Sequence, residues 1–263
     1  MNWSVTTRIL RTRRVVLAIW CVALVSVVGM YVGLYPSMEK IDLDAMVKAL
    51  PPALVEALGY DDMASAAGYV GSAIHGLVGF FLLMVFAIMN GAQLIAGEEQ
   101  DGALELELTA PLPRSSIYLQ RLAALLLQCV LLVGVMYVGI LLVQLVAQLD
   151  LPFAQLLKAT LMLLLTTMLF GVLSFAAGAA SGRKAVGLGV GVGILVFGFM
   201  ANAIGPMVDQ EWMTSISPVS WYMKDNPVTR DIPVLDVVLL VVSNVVIAVL
   251  GGVRFVRRDL MSA

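Results

Sequence analysis

Six long apolar segments divide this chain and restrict it to one class of fold. They cover approximately residues 15–35, 69–96, 119–148, 153–180, 185–206 and 234–256. Each is long enough to cross the hydrocarbon core of a bilayer as a helix, which needs roughly 20 residues. Among all 263 residues, 60% are hydrophobic and 13% are charged, whereas a soluble domain carries about a quarter charged residues. The sequence therefore predicts an all-α integral membrane protein whose six transmembrane helices form one domain over residues 1–263.

The distribution of lysine and arginine predicts the orientation of the spans. If the N-terminus is cytoplasmic, 11 of the 16 basic residues lie on the cytoplasmic side, as the positive-inside rule requires. These are Arg8, Arg11, Arg13, Arg14, Arg114, Arg121, Arg183, Lys184, Arg254, Arg257 and Arg258. The other five are Lys40, Lys48, Lys158, Lys224 and Arg230. An even number of spans then places both termini in the cytoplasm.

The first 14 residues precede the first span and are strongly basic. They combine arginines with apolar residues at Trp3, Val5, Ile9 and Leu10. Two interpretations are open. The segment is either a short amphipathic helix at the interface with the inner leaflet, or only the basic flank that the positive-inside rule favours.

A strongly charged segment with a helical pattern, Gly97–Arg121, separates the second and third spans. Leu104 and Leu108 lie four apart on one helix face, and the two prolines of the Ala110–Pro113 stretch end the helix. Ser115 or Ser116 is expected to cap the next span. Five carboxylates oppose the basic bias of this side: Glu98, Glu99, Asp101, Glu105 and Glu107. The pattern predicts a helix over about 97–110 that docks on a cationic partner; the alternative is a solvated helix that only turns the chain.

The order and spacing of these residues resemble the signature of ABC-2-type transporter permeases. The matching residues are Glu98, Glu99, Gly102, Leu104, Leu108, Pro111 and Arg114. Ala103 replaces a common threonine and Gln120-Arg121 a common Gly-Lys pair, which leaves the helix and its charge in place. Ser217-Pro218 and Asn226-Pro227 are similar to a loop that many such permeases carry before the last span. With six spans and a basic start, the resemblance extends over the whole chain.

The resemblance implies the transmembrane subunit of a type V ABC exporter in a bacterial or archaeal cytoplasmic membrane. Its partners would be a separate ABC ATPase subunit, a second permease copy or a homologous permease, and membrane lipids. Glu98 and Glu99 would lie at the junction of membrane and cytoplasm, near arginines of the partner or of the inner-leaflet helix. The resemblance implies a coupling helix whose docking residues are Glu98, Glu99, Asp101, Gly102, Leu104, Glu105, Leu108, Pro111 and Arg114.

Nothing in the sequence indicates that this chain binds nucleotide itself. The phosphate-binding pattern G-x-x-x-x-G-K-[ST] is absent, and the nearest run, Gly178–Lys184, has the wrong spacing. We therefore predict a non-catalytic subunit without catalytic residues, cofactor or metal, with ATP and magnesium bound by the partner. A net charge of −2 gives no indication of nucleic-acid binding. The alternating glycines from Gly187 to Gly193 predict close helix packing, either within the bundle or at a dimer seam.

Two other classes of membrane protein compete with the permease. A secondary transporter usually carries ionisable groups near the midplane, and these spans carry only neutral polar groups there. Asn90, Gln93 and Asn202 are candidates for a translocation path or gate, or for hydrogen bonds between helices. An intramembrane serine protease would have to use Ser72 and His75, which lack an orienting third group. We expect His75 at the interface or in contact with a loop. The apolar interior favours a lipophilic cargo such as a drug, an antibiotic or a lipid-like molecule, exported by alternating access.

Overall fold

The computed structural model describes residues 4–38, 48, 55, 65–102, 113–149, 151–205, 208, 210–223, 228–229 and 231–258. Six helices in these ranges are long and apolar enough to cross a membrane. They are α2 (Arg14–Met38), α3 (Ala66–Gln100), α4 (Arg114–Ala147), α5 (Phe153–Ser181), α6 (Lys184–Ile204) and α9 (Val234–Arg257). Three shorter helices are α1 (Ser4–Thr12), α7 (Glu211–Ser215) and α8 (Ser220–Met223). The described ranges contain no strand, and the prediction of an all-α, six-span fold is confirmed.

Helices α3 and α5 form the centre of the bundle. Helix α5 packs against α3, α4, α6 and α9, and α2 packs against α4. The outer helices expose many large apolar side chains, for example Val249 on α9 and Ile19 on α2. Such surfaces are stable in contact with lipid chains, which supply no hydrogen bonds but accept apolar contact. The sequence pattern could not rank the spans by burial, because all six are almost uniformly apolar.

Glycines bring α6 close to the central helices. A Cβ atom on Gly187 would lie 2.7 Å from the carbonyl oxygen of Ser174, and one on Gly191 would lie 2.9 Å from Cγ2 of Ile88. Only a residue without a side chain permits this approach. Gly189 and Gly193 are exposed, and a Cβ on either would meet nothing within 4 Å. The first glycine pair therefore packs inside the bundle, whereas the second lies on the outer surface of α6.

Helix α3 contains a π-helical segment near each end, Gly71–Leu77 and Gln93–Gly97. A π turn disturbs the regular backbone ladder and is frequently found at functional sites. In each segment a backbone carbonyl accepts a hydrogen bond from a side chain of another element. The carbonyl of His75 accepts from the Tyr222 hydroxyl at 3.0 Å, and that of Leu94 accepts from the Arg121 guanidinium. The π segments therefore connect α3 to its neighbours at both ends.

The segment after α6 folds back onto the bundle through α7 and α8. The Ser217 hydroxyl donates to the carbonyl of Gly198 at 2.9 Å and accepts from the amide of Ser220 at 3.2 Å. Tyr222 stacks on Phe80 of α3 with ring centroids 5.7 Å apart. Burial raises the pKa of Tyr222 well above its ordinary value, so its hydroxyl remains a neutral donor. The Ser-Pro motif thus lies where the chain turns into the bundle.

The start of α4 differs from the sequence prediction. Pro113 occupies the N-cap position without a side-chain capping bond, and the helix begins at Arg114. Ser115 and Ser116 lie inside the first turn, where the Ser116 Oγ accepts from Gln120 Nε2 at 3.1 Å. The predicted serine cap is wrong, because the helix begins at Arg114, directly after Pro113, so that both serines already lie inside its first turn.

Candidate functional site: the ionic cluster at the basic end

Helix α3 ends among the termini of several other helices, at what we call the basic end of the bundle. Glu98 and Glu99 are the last acidic residues before α3 ends at Gln100. Three arginines from separate parts of the chain bind them, and we call these five residues the ionic cluster: Arg13, Glu98, Glu99, Arg121 and Arg258.

Glu98 binds two arginines through its two oxygens. Its Oε2 lies 2.6 Å from Nη1 of Arg121, and its Oε1 lies 3.4 Å from Nη2 of Arg13. Arg13 also donates from Nη1 to Oδ1 of Asn90 at 2.8 Å. Asn90 in turn donates from Nδ2 to the carbonyl of Phe86 at 3.2 Å. The short link between α1 and α2 is therefore attached to α3 at Glu98 and at Asn90, which lie two and ten residues before the end of the helix.

Arg121 is the most deeply buried member of the ionic cluster. Its side chain is 0% exposed, and Nη1 contacts both Glu98 and the carbonyl of Leu94 in the second π segment. A buried guanidinium is tolerated only when its charge and its donors are matched. Glu98 supplies the opposite charge, and the π segment supplies a carbonyl oxygen. The pairing holds α4 against the end of α3.

Glu99 pairs with Arg258, which follows α9 directly. The two side chains are 5% and 9% exposed. Arg258 also donates from Nε to the carbonyl of Ala179 at 2.7 Å, and its own carbonyl accepts from Nη1 of Arg114 at 2.9 Å. Gly182, with φ of 70°, lies against this guanidinium, and a Cβ there would approach Arg258 Nη1 at 2.5 Å. Arg258 thereby connects α3, α4, α5 and α9.

The chain leaves the bundle immediately after the ionic cluster. Asp101 is exposed, and its Oδ2 accepts from Gln93 Nε2 at 3.2 Å. The amide of Lys184 donates to Oε1 of Gln100 at 3.3 Å, which joins the start of α6 to the same point. Gly102 has φ of 72°, a left-handed conformation that ends the helix. Four of the predicted docking residues lie outside the described residues: Leu104, Glu105, Leu108 and Pro111.

Helix α1 packs on the first turns of α4. The amide of Val5 donates to Oε1 of Gln120 at 3.1 Å, and the Thr6 hydroxyl donates to the carbonyl of Gln120 at 2.8 Å. Val5 and Ile9 are buried, whereas Arg8 and Arg11 are exposed. The N-terminal segment is thus an amphipathic helix, and its apolar positions contact α4.

The three candidate path residues do not come together. Asn90 and Gln93 are bonded at the basic end, whereas Asn202 is buried two residues before the end of α6 at the opposite end. The 18 residues from Lys184 to Asn202 correspond to about 27 Å of helix. A common role of these residues in a translocation path therefore stays a prediction.

His75 is fully buried within the bundle, and its position relative to the membrane interface stays a prediction. Its Nε2 lies 3.2 Å from Thr160 Oγ1, and the Thr160 hydroxyl donates to the carbonyl of Leu156 at 2.8 Å. Where the Thr160 hydroxyl donates to Leu156, Nε2 donates to Thr160 Oγ1; Nδ1 has no hydrogen-bond partner among the described residues. The imidazole is thus oriented by a threonine of α5, an arrangement that does not build the nucleophile–base–acid series of a serine protease with Ser72. The contact with a loop helix is present, through Tyr222.

Sequence reasoning used Arg13, Arg121 and Arg258 only as markers of orientation. Arg121 carried a stronger signal, since it lies seven residues into α4, or about 10 Å from the first residue of that helix. An arginine at that depth requires an acidic or carbonyl partner. The position of Arg258 in the sequence does not indicate such a partner. Glu98 and Glu99 do meet arginines, but only Arg13 adjoins the N-terminal helix, whereas Arg121 and Arg258 lie in α4 and directly after α9.

Comparison with known proteins identifies a family. A search of curated proteins finds no match. The family described as ABC-2 family transporter protein matches residues 6–260, which is nearly the whole chain. The match includes all six membrane-spanning helices and every member of the ionic cluster. This chain therefore belongs to the ABC-2 family of transporter proteins.

Proposed function

We propose that this multi-pass membrane protein is the permease subunit of an ATP-driven exporter, and that its ionic cluster transmits the motion of an ATPase to the bundle. Members of the ABC-2 family generally work with an ABC ATPase subunit. The observation that carries the proposal is the set of ion pairs joining the end of α3 to three other helix termini. In this assignment ATP and magnesium are bound by the partner.

A push by the ATPase would reach the bundle through the ionic cluster. A partner that pushes on the residues after Gly102 moves the end of α3. Glu98 then carries α4 and the α1–α2 link through Arg121 and Arg13, and Glu99 carries α9 through Arg258. Charge-assisted hydrogen bonds of buried groups are short and directional, so they hold this geometry better than apolar contacts would. The helices at the basic end should therefore move together.

The predicted docking residues fall into two groups. The carboxylates of Glu98 and Glu99 are engaged by arginines of their own chain, so these two residues couple the partner's motion to the bundle. Exposed Asp101 and the residues that follow Gly102 make the contact itself. This contact group is Asp101, Gly102, Leu104, Glu105, Leu108, Pro111 and Arg114.

The buried side chains are mostly apolar, which favours a lipophilic cargo such as a drug, an antibiotic or a lipid-like molecule. The path would enter near Asn90 and Gln93 and leave near Asn202, with the basic end and both termini in the cytoplasm of a bacterium or archaeon. A second permease copy or homologue completes the assembly. Alternating access would then export the cargo.

The test uses this chain co-expressed with a candidate ABC ATPase subunit from the same genome. Glu105→Lys should abolish co-purification of the ATPase, because it reverses the charge of one residue in the contact group. Glu98→Gln combined with Arg121→Gln removes both charges of the buried pair without stranding either. This double variant should keep the ATPase bound but lose stimulation of its ATP hydrolysis by the permease.

The matched control is Asp231→Asn, which breaks the exposed ion pair with Lys158 at the opposite end. It should change neither co-purification nor ATP hydrolysis. Undiminished binding and stimulation in the Glu105 and Glu98/Arg121 variants would contradict the proposal. ATP hydrolysis by the purified chain alone would refute the assignment of subunits.

A further inference from the structure

A groove of about 400 Å³ lies between α4 and α9 at the basic end. One face of α4 forms the first wall, through Ser115, Tyr118 and Leu122, which recur every three to four residues. One face of α9 forms the second wall, through Val249, Val253 and Arg257. The groove is outside the ionic cluster and contains none of its residues.

The floor of the groove is built to be apolar. A Cβ atom on Gly252 would lie 3.0 Å from Cε1 of Tyr118, so the glycine allows the tyrosine ring to lie against α9. The Tyr118 hydroxyl donates to the carbonyl of Ala248 at 2.7 Å, which satisfies the one polar atom of that ring. Val249 and Val253 are 58% and 45% exposed and face outward. An occupant of this part of the groove must therefore be apolar.

The rim of the groove is cationic. Arg257 and Ser115 both line it and both are exposed. Arg258, the neighbour of Arg257, is committed to Glu99, whereas Arg257 makes no ion pair within the described part of the chain. A guanidinium and a hydroxyl at one end of an apolar groove match a phosphate that is joined to a hydrocarbon chain.

The length of the groove fits one leaflet. From Val249 to Arg257 the eight-residue separation corresponds to about 12 Å along α9. Half of a hydrocarbon core of about 30 Å is about 15 Å. An acyl chain can therefore extend along the groove while its headgroup stays level with Arg257.

We propose that this groove is a binding site for one anionic glycerophospholipid of the leaflet at the basic end. The acyl chain lies between α4 and α9, and the phosphate binds Arg257 and Ser115. The lipid braces the two helices that carry Arg114 and Arg258 to the ionic cluster. The site stands on its own geometry and requires no ATPase partner.

The test is native mass spectrometry of the purified full-length chain, incubated in detergent with dioleoylphosphatidylglycerol or dioleoylphosphatidylcholine. We expect one phosphatidylglycerol to be retained in preference to phosphatidylcholine. Arg257→Gln should reduce that preference about fivefold, the effect of one arginine near an anionic lipid. Val249→Phe should reduce the retention of both lipids, because the larger side chain fills the groove.

Two controls match these changes on the same helix. Arg254→Gln removes an equal charge outside the lining of the groove, and Val246→Phe enlarges an exposed valine outside it. Both should retain lipid as the unsubstituted chain does. If Val249→Phe fails to fold, phosphatidylglycerol with a diazirine in its acyl chain decides instead, and the cross-links should map to α4 and α9.

Several outcomes would overturn the site. Equal retention of the two lipids by all variants would exclude a specific headgroup contact. A change from dimer to monomer in Val249→Phe with unchanged lipid retention would show that a second copy covers the groove. Displacement of the lipid by soluble glycerol phosphate alone would exclude a role for the acyl chain, as would cross-links spread evenly over all six spans.

Discussion

The two ends of the bundle are held together by different chemistry. At the basic end, buried or half-buried carboxylates bind arginines at the end of α3. At the opposite end, the bonds of α3 to its neighbours are made by neutral groups of His75, Thr160 and Tyr222. The ion pair described there, between Lys158 and Asp231, is long at 3.5 Å and exposed. Among the described residues, charge is buried only where α3 leaves the bundle.

This difference teaches how the molecule can move. Separating a buried ion pair leaves two unmatched charges in a medium that solvates them poorly, so the basic end should behave as one rigid unit. Neutral hydrogen bonds inside a membrane protein contribute less and can be exchanged singly. We therefore expect the opposite end to open and close while the basic end moves as a body.

Breaking the buried pair at the basic end should have the largest effect. Glu98→Gln leaves the guanidinium of Arg121 buried without its counter-charge, and we expect a loss of about 3–5 kcal/mol in the free energy of unfolding. Thermal unfolding in detergent measures the loss. Glu98→Gln with Arg121→Gln should recover most of it, since the fully buried guanidinium is gone and Arg13, which is partly exposed, keeps its bond to Asn90. Equal stability of the single and double variants would show that the pair does not organise this end.

Removing the partner of His75 should have a smaller effect. Thr160→Val keeps the shape of the side chain but leaves the imidazole Nε2 without an acceptor, at an expected loss of about 1–2 kcal/mol. Thr166→Val is the matched control, because the Thr166 hydroxyl donates to the carbonyl of Met162 in its own helix. Comparable melting temperatures for both variants would mean that His75 contributes no stabilising contact between α3 and α5.

Deleting the hydroxyl of Tyr222 isolates the link between α8 and the first π segment. Tyr222→Phe keeps the stacking on Phe80 and should destabilise the protein by about 0.5–1 kcal/mol through the lost bond to the His75 carbonyl. Tyr137→Phe is the control, since the Tyr137 hydroxyl is buried without a partner among the described residues. Its removal should be neutral or slightly stabilising. Equal destabilisation by both variants would show that the bond to the His75 carbonyl contributes no specific stabilisation.

The six spans could be predicted from the sequence, because each crossing of a bilayer needs about 20 apolar residues and such a run can be read from the local sequence. The ionic cluster was not predictable in the same way. Glu98 and Glu99 meet arginines that lie 23, 85 and 159 positions away, and no local pattern encodes such pairings. The contact of His75 with Thr160 was not predictable for the same reason, because it joins residues 85 positions apart on two different helices.

The weakest expected effect belongs to the ion pair at the opposite end. Lys158 and Asp231 have side chains that are 57% and 92% exposed, so water and salt already screen their attraction. Asp231→Asn should change the melting temperature by less than the scatter of repeated measurements, at both low and high salt. The partial destabilisation expected from Arg13→Gln, whose side chain is 19% exposed, should stand clearly above that level. If Asp231→Asn were instead as harmful as Glu98→Gln, charge would stabilise both ends alike, and the rigid behaviour assigned to the basic end would have no physical basis.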